Sequence, residues 1–236
     1  QRILATTERE RDHLMRYYGA DPKRIGVVPC GVNLDLFRPM DKRTARRRAG
    51  FPIDESIVLY VGRLARIKGT ERLLQAMTHL KCSKRTRLII IGGDGLQTRE
   101  SRQLLRLTQR LGLQDAVEFL GRVDHEILPT YYSAADLMVL PSHYETFGLV
   151  ALEALASGTP VVATRVGAME TILREGETGY IVANNGPDLL AAGIEKLLER
   201  ARAGAVSTDA IRASVVGFGW DTVVSAVIDQ YGILLK

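Results

Sequence analysis

The sequence predicts an open α/β fold, a mostly parallel sheet with helices on both faces. Three observations point there. Short apolar runs alternate with longer stretches whose apolar residues recur at helical spacing. The runs are apolar nearly throughout, as in Ile57-Val58-Leu59-Tyr60-Val61, the pattern of strands buried on both sides of a parallel sheet. Glycine-bearing loops follow strand after strand, at the edge where such sheets bind ligands.

In order, Ile3-Leu4-Ala5 is strand-like, and Glu8 to Tyr18 reads as a helix ending near Gly19, a residue suited to a helix end. Ile25 to Pro29 is a second strand, leading into a loop at Cys30-Gly31-Val32-Asn33. Arg43 to Ala49 reads as a short helix closed by Gly50 and Pro52. A strand at Ile57–Val61, a loop from Gly62 to Gly69 and a helix from Thr70 to Leu80 follow. Arg87 to Ile91 is a strand, broken by Gly92-Gly93-Asp94-Gly95 before a helix from Leu96 to Leu111. Val117 to Leu120 ends at Gly121, and Ala134 to Leu140 reads as a buried strand. Val161-Val162-Ala163 and Tyr180-Ile181-Val182 complete the strands. Pro187 to Arg202 is a helix with proline in its first turn, and a last helix runs from about Asp221 to Leu235. With no repeats and no low-complexity linkers, residues 1–236 are expected to form one domain.

Composition narrows the function classes. Hydrophobic content of 46% and charged content of 25% are those of a soluble globular protein. No apolar run approaches the eighteen or so residues of a membrane span, and the amino end shows no leader pattern. The chain opens at Gln1 and is soon in structure, so the expectation is a piece of a longer protein, although a mature secreted chain could also begin with Gln. Cys30 and Cys82 are too few for a disulfide framework, which makes a cytoplasmic setting the default. The net charge of +5 sits largely in Lys42, Arg43, Arg46, Arg47 and Arg48, and in Arg99, Arg102, Arg106 and Arg110. The second group has the spacing of a solvated helix face. No aromatic residues interleave with these cations, which argues against nucleic acid; an anionic membrane surface at the inner face suits them better.

The chemistry concentrates at Pro141-Ser142-His143-Tyr144-Glu145-Thr146-Phe147-Gly148-Leu149, between a strand and a helix carrying Leu149, Leu152 and Leu155. Phe147, Gly148 and Leu149 would offer backbone N–H groups to an anion, helped by roughly +0.5 charge at the helix end. Glu145 precedes the turn, and Glu153 lies roughly 8 Å into the helix at ~1.5 Å per residue. Carboxylates so near an anion site would accept bonds from sugar hydroxyls on either side of it. The plainer alternative is one glutamate complementing the helix dipole and another solvated on the helix.

A second basic loop, Gly62-Arg63-Leu64-Ala65-Arg66-Ile67-Lys68-Gly69, also leaves a strand's carboxyl end, and Arg63 and Lys68 would suit a phosphate; exposed basic loops of no function are also common. Gly93-Asp94-Gly95 opens like a dinucleotide fingerprint, but Thr98 stands where its third glycine belongs, so a plain turn is expected. His13, His79, His125 and His143 have no metal-ligand spacing and are read as surface or packing residues. No Asp-x-Asp pair occurs to clamp a metal–diphosphate, and no metal site is expected.

Taken in order, Gly62-Arg63-Leu64…Lys68-Gly69, Gly92-Gly93-Asp94-Gly95, Gly121-Arg122-Val123, Glu145-Thr146-Phe147-Gly148…Glu153-Ala154 and Gly158-Thr159-Pro160-Val161-Val162-Ala163 resemble one family. It is the family-4 (group 1) retaining glycosyltransferases of the GT-B fold, and specifically their Rossmann-like carboxyl-terminal domain. Val28-Pro29-Cys30-Gly31-Val32-Asn33 resembles the start of that domain, and Phe218-Gly219-Trp220 the opening of its closing helix, 220–236. The resemblance covers essentially the whole chain. The glutamate pair with seven residues between is its most specific part.

That resemblance implies donor binding from a nucleotide diphosphate sugar (UDP, GDP or ADP), with no cofactor and no essential metal. It places Arg63 and Lys68 on the diphosphate and Glu145 on the transferred sugar, these three being the catalytic set. It places Glu153 on the ribose, the backbone of Arg122 and Val123 at the base, and that of Phe147, Gly148 and Leu149 at the sugar and phosphate, with Gly62 and Gly93 in the donor loops. Two departures stand out: Ala168 follows Gly167 where a second glycine is usual, and Ser157 stands where cysteine is frequent. The family's amino-terminal, acceptor-binding domain is absent from this chain. Exposed apolar surface is therefore expected around the first helix and on the last one, at Val223, Val224, Val227 and Ile228. Two other readings compete, a non-catalytic nucleotide-sugar-binding or regulatory module, and a sugar phosphorylase or epimerase on a similar fold.

Overall fold

Strand β3 (Ser56–Val61) is buried along its whole length and forms the middle of a six-stranded sheet. The computed structural model describes residues 1–81, 85–93 and 98–235. On one side of β3 lie β4 (Thr86–Ile91) and β5 (Val117–Gly121); on the other lie β6 (Leu137–Leu140), β7 (Val161–Thr164) and β8 (Gly179–Val182). The order is β5-β4-β3-β6-β7-β8, and every pairing is parallel.

The two-residue alternation of the strands divides their apolar side chains between two cores. Ile57, Leu59, Ile89, Met138 and Leu140 face one core, completed by α2 (Lys42–Ala49), α5 (Leu128–Ala134), α6 (Leu149–Ala156) and α9 (Thr208–Ala213). Val58, Tyr60, Leu88, Ile90, Leu137 and Val139 face the other, covered by α3 (Thr70–Met77), α4 (Arg99–Arg110) and α8 (Pro187–Arg202). Helices on both faces are what two-sided apolar strands require. Arg99, Arg102, Arg106 and Arg110 all lie on the exposed face of α4.

Three differences from the sequence reading have physical causes. First, β1 (Ile3–Ala5) and β2 (Ile25–Val27) do not join the main sheet; they pair with each other, parallel. Helix α1 (Glu8–Tyr18) connects them, and the final helix α10 (Trp220–Leu234) reaches back to this unit, where Arg2 Nε donates to Gln230 Oε1 at 2.5 Å. Second, Ala134 ends α5 and is not in the strand; Pro129 suits that helix's first turn, and the backbone turns extended only at Ala135. The short helices α5, α7 (Met169–Ile172) and α9 have too few turns to show a period in sequence. Third, α3 stops at Met77. The expected helix start at Leu96, the glycine-loop residues Asp94 and Gly95, and Cys82 lie outside the described residues.

Two side chains also correct the reading. Arg46, counted with the surface cations, is buried; it donates to the carbonyls of Ala134, Ile53 and Glu55 and pairs with Asp136 at 2.7 Å. Val223 is buried, whereas Val224 and Ile228 on the same helix are exposed, as are Tyr17, Tyr18 and Tyr231. No helix among the described residues is long and apolar enough to cross a membrane.

Candidate functional site

The chain winds outward from β3 to β4 and β5, then crosses back to β6 and continues the other way, so loops leaving β3 and β6 diverge. That switch point is where open α/β sheets leave a crevice. A cavity of about 370 Å³ lies there, at the carboxyl ends of the two strands. Among its lining residues are Gly62, Arg63 and Lys68 from the β3 loop and Glu145, Phe147, Gly148 and Leu149 from the β6 loop.

Backbone contacts bind the two loops together. A Cβ on Gly69 would collide with the carbonyl of Pro141, and its φ of 70° disfavours any side chain. The His143 N–H donates to the Ile67 carbonyl at 2.8 Å. A single turn at Arg66–Lys68 then aims Lys68 across the crevice, where its Nζ meets Glu145 Oε1 at 2.7 Å. Ser142 Oγ donates to the same oxygen at 2.7 Å, and its own carbonyl is held by Thr164 Oγ1 at 2.6 Å. Only 11% of the Glu145 side chain and 20% of the Lys68 side chain is exposed, so the ion pair is largely withdrawn from water.

Arg63 is exposed, and its guanidinium makes no hydrogen bond or ion pair among the described residues. Its carbonyl accepts from Tyr60 Oη at 2.8 Å. Burial pushes the Tyr60 hydroxyl up to about 12, which keeps it a donor to this carbonyl. Helix α6 begins at Leu149 with Gly148 as its cap, φ 102°, and no side chain closes that end. Its first N–H groups and the positive pole of the helix face the cavity. Ala168 takes φ −92°, which alanine adopts freely, and its N–H ties the turn to the Phe147 carbonyl at 2.9 Å.

Glu153 does not line the cavity. It lies one turn beyond Leu149, on the same side of α6. Tyr132 Oη donates to its Oε2 at 2.9 Å, and His125 Nε2 lies 3.2 Å from its Oε1. Burial pushes the Glu153 carboxyl above its ordinary value, while the bonds from His125 and Tyr132 pull it back down. It is therefore neither the solvated helix residue of the plainer alternative nor a partner of Arg63 or Lys68. His125, read from sequence as a surface or packing residue, is part of this cluster.

The other predicted residues sit beside the cavity. Gly93 packs on the β3 loop, where a Cβ would come within 2.8 Å of Leu64 Cδ1. Arg122 is exposed just past β5, and Val123 leans on the core; His125 follows in the same loop. Sequence reasoning gave no role to Ser142, Tyr132 or His125. Ser142 stood inside the quoted stretch, but nothing local tied Tyr132 to a glutamate twenty-one positions away. Among the described residues, no group of three His, Cys, Asp or Glu side chains could hold a metal ion.

Comparison with known proteins decides the family. The family described as Glycosyl transferases group 1 matches residues 41–209. The chain belongs to the group 1 glycosyl transferases. Among relatives of this glycosyl transferase chain, D-inositol 3-phosphate glycosyltransferase 2 of Catenulispora acidiphila is 41% identical, over 98% of the chain and 55% of the relative. A D-inositol 3-phosphate glycosyltransferase of Mycobacterium bovis is 38% identical, over 98% of the chain and 48% of the relative. The chain spans about half the length of the relatives it matches. Sucrose-phosphate synthase from Thermosynechococcus elongatus superposes with a TM-score of 0.88 at 37% identity, covering 98% of this chain and 58% of that one. Anabaena HepE, solved with UDP, shares the fold with a TM-score of 0.87 at 23% identity over 98% of this chain and 63% of that one.

Proposed function

We propose that this chain is the donor-binding half of a retaining glycosyltransferase, which moves a hexosyl group from a nucleotide diphosphate sugar to an acceptor hydroxyl. One observation carries the reading. An arginine unpaired among the described residues, a lysine and an uncapped helix end converge on a switch-point cavity, with the Glu145 carboxylate beside them. A diphosphate of about −2 charge is the ligand that two cations and a helix pole would hold in place.

In this reading, Arg63 forks onto the diphosphate oxygens and Lys68 neutralises the charge that grows as the sugar leaves. The N–H groups of Phe147, Gly148 and Leu149 complete the anion site, and Gly62 and Gly93 keep the neighbouring loops close. Glu145 accepts from hydroxyls of the transferred sugar once Lys68 turns toward phosphate. Glu153 accepts from the ribose, and the Arg122–Val123 backbone meets the base. The bond from the anomeric carbon to the diphosphate oxygen breaks as the acceptor oxygen bonds to that carbon, and the acceptor's proton leaves with the diphosphate.

The acceptor pocket belongs to a further, amino-terminal domain, in keeping with relatives about twice as long as this chain. Their names make a phosphorylated inositol the first acceptor to try with the full-length protein. The UDP complexes of HepE make a uridine donor the first to try. The setting we propose is cytoplasmic, with the arginine face of α4 free to lie against an anionic membrane.

Calorimetric titration of the chain with UDP, GDP and ADP in EDTA tests the reading. One of the three is expected to bind at one equivalent. Binding by none of them, or binding only after magnesium is added, would overturn it.

A further inference from the structure

Glu153 carries a site device that lies outside the cavity. An ionised carboxylate offers about four lone-pair positions. Two are taken, one on Oε2 by the hydroxyl of Tyr132 and one on Oε1 by His125. The two partners differ in kind. Tyr132 is completely buried, whereas the His125 side chain is 60% exposed. Oε2 is thus turned into the protein, and Oε1 lies on the side open to a ligand.

The tyrosine is anchored by more than its bond to Glu153. It belongs to α5, its ring meets Phe37 edge-on at 6.0 Å, and its carbonyl is gripped by Thr159 Oγ1 at 2.7 Å. Its hydroxyl has Glu153 as its one hydrogen-bond partner among the described residues. Rotating the carboxylate away would leave that hydroxyl unpaired in the interior, which is costly. The result is a carboxylate fixed in one orientation, with an acceptor position on Oε1 still open toward a ligand. A ribose hydroxyl, which a deoxyribose lacks, fills that position.

We propose that Tyr132 is a positioning residue: by fixing Glu153 it gives the site its preference for a ribose over a deoxyribose in the bound nucleotide. The proposal rests on the reading that Glu153 meets the ribose. Tyr132 itself touches no ligand. Its effect appears only as the difference in affinity between nucleotides with and without the two hydroxyls.

The test measures Kd for the best-binding of UDP, GDP and ADP and for its 2′,3′-dideoxy counterpart, in the parent chain, Tyr132→Phe, Glu153→Gln and the double variant. The parent should favour the ribonucleotide about tenfold or more, as hydrogen bonds to a charged group imply. Tyr132→Phe should cut that ratio at least threefold while leaving the dideoxy affinity unchanged, and it should change nothing further in the Glu153→Gln background. An unchanged ratio in Tyr132→Phe, or an equal loss for both nucleotides, would make Tyr132 a packing residue and overturn the proposal. A parent that binds none of the three overturns instead the donor reading on which the proposal rests, and a parent that binds both sugars equally removes Glu153 from the ribose site. If Tyr132→Phe does not fold, Glu153→Asp serves, since a side chain one methylene shorter cannot reach Tyr132 as before. It should then lose the ribose preference, and keeping it would count against the proposal.

Discussion

Glu145 and Glu153 are the same residue type, eight positions apart, and the fold gives them opposite surroundings. Glu145 sits on a loop, with its charge matched by Lys68 and a second donor in Ser142. Glu153 sits on a helix, pressed into the interior, with a neutral tyrosine and a histidine as its partners. The first is tied to Lys68, so whatever draws Lys68 away releases it. The second is held by Tyr132 and His125, without Lys68 or Arg63. In the proposed function the two carboxylates thus do different work, one coupled to ligand charge and one accepting from hydroxyls.

The largest effect that would break this comparison concerns transfer. Reaction requires an acceptor hydroxyl held about 3–3.5 Å from the anomeric carbon in a cleft closed to water. Both carboxylates lie on loops and helices of one sheet, so donor binding by the chain alone is expected to survive. Sugar transfer is expected to be lost, or to fall to slow donor hydrolysis. An assay with several nucleotide sugars and simple acceptors checks this; robust transfer with retained stereochemistry and no partner would place the acceptor site on this chain.

Next come the cations. Arg63→Ala and Lys68→Ala should each weaken nucleoside diphosphate binding by about 1.5–3 kcal/mol. They should part company in stability. Arg63 has no partner to abandon among the described residues, whereas Lys68→Ala removes the cation paired with Glu145, whose side chain is only 11% exposed. A drop in Tm confined to the lysine variant is expected. Equal melting for both would mean that the ion pair contributes nothing to the loop.

The smallest effect sharpens the other side. The folded chain raises the Glu153 carboxyl above its ordinary value of 4.5, because burial disfavours its charge. A raised carboxyl holds its proton more tightly when folded. That contribution to stability is therefore present in acid and is lost as pH rises through the raised value. Glu153→Gln, neutral at every pH, should melt higher than the parent near neutral pH, and the gap should close by about pH 4. Parallel melting curves across that window would mean that burial does not control the Glu153 charge.

Much of this was legible in the sequence, and the reasons differ by element. Strands β3 and β7 showed as apolar runs because both their faces are covered. Helices α1 and α8 showed because a terminal glycine and a first-turn proline are local signals. The cavity's cations and helix end were legible because each stands on a strand-end loop. The pairing of β1 with β2 was not, since three-residue strands carry no mark of which sheet they join. Nor were the bonds from Ser142 and Tyr132 to the two glutamates, or the burial of Arg46 on Asp136, because these depend on where distant elements meet.

The central claim is that the crevice between the β3 and β6 loops holds the nucleoside diphosphate. Backbone amide NMR, titrated with whichever of UDP, GDP and ADP binds, tests it most directly. Shifts should concentrate at Gly62–Gly69, at 145–149 and at Arg122 and Val123, around the carboxyl ends of the strands. Shifts gathered instead at the opposite end of the sheet, around Lys42, Ser157 and Thr208 where a second cavity lies, would contradict it.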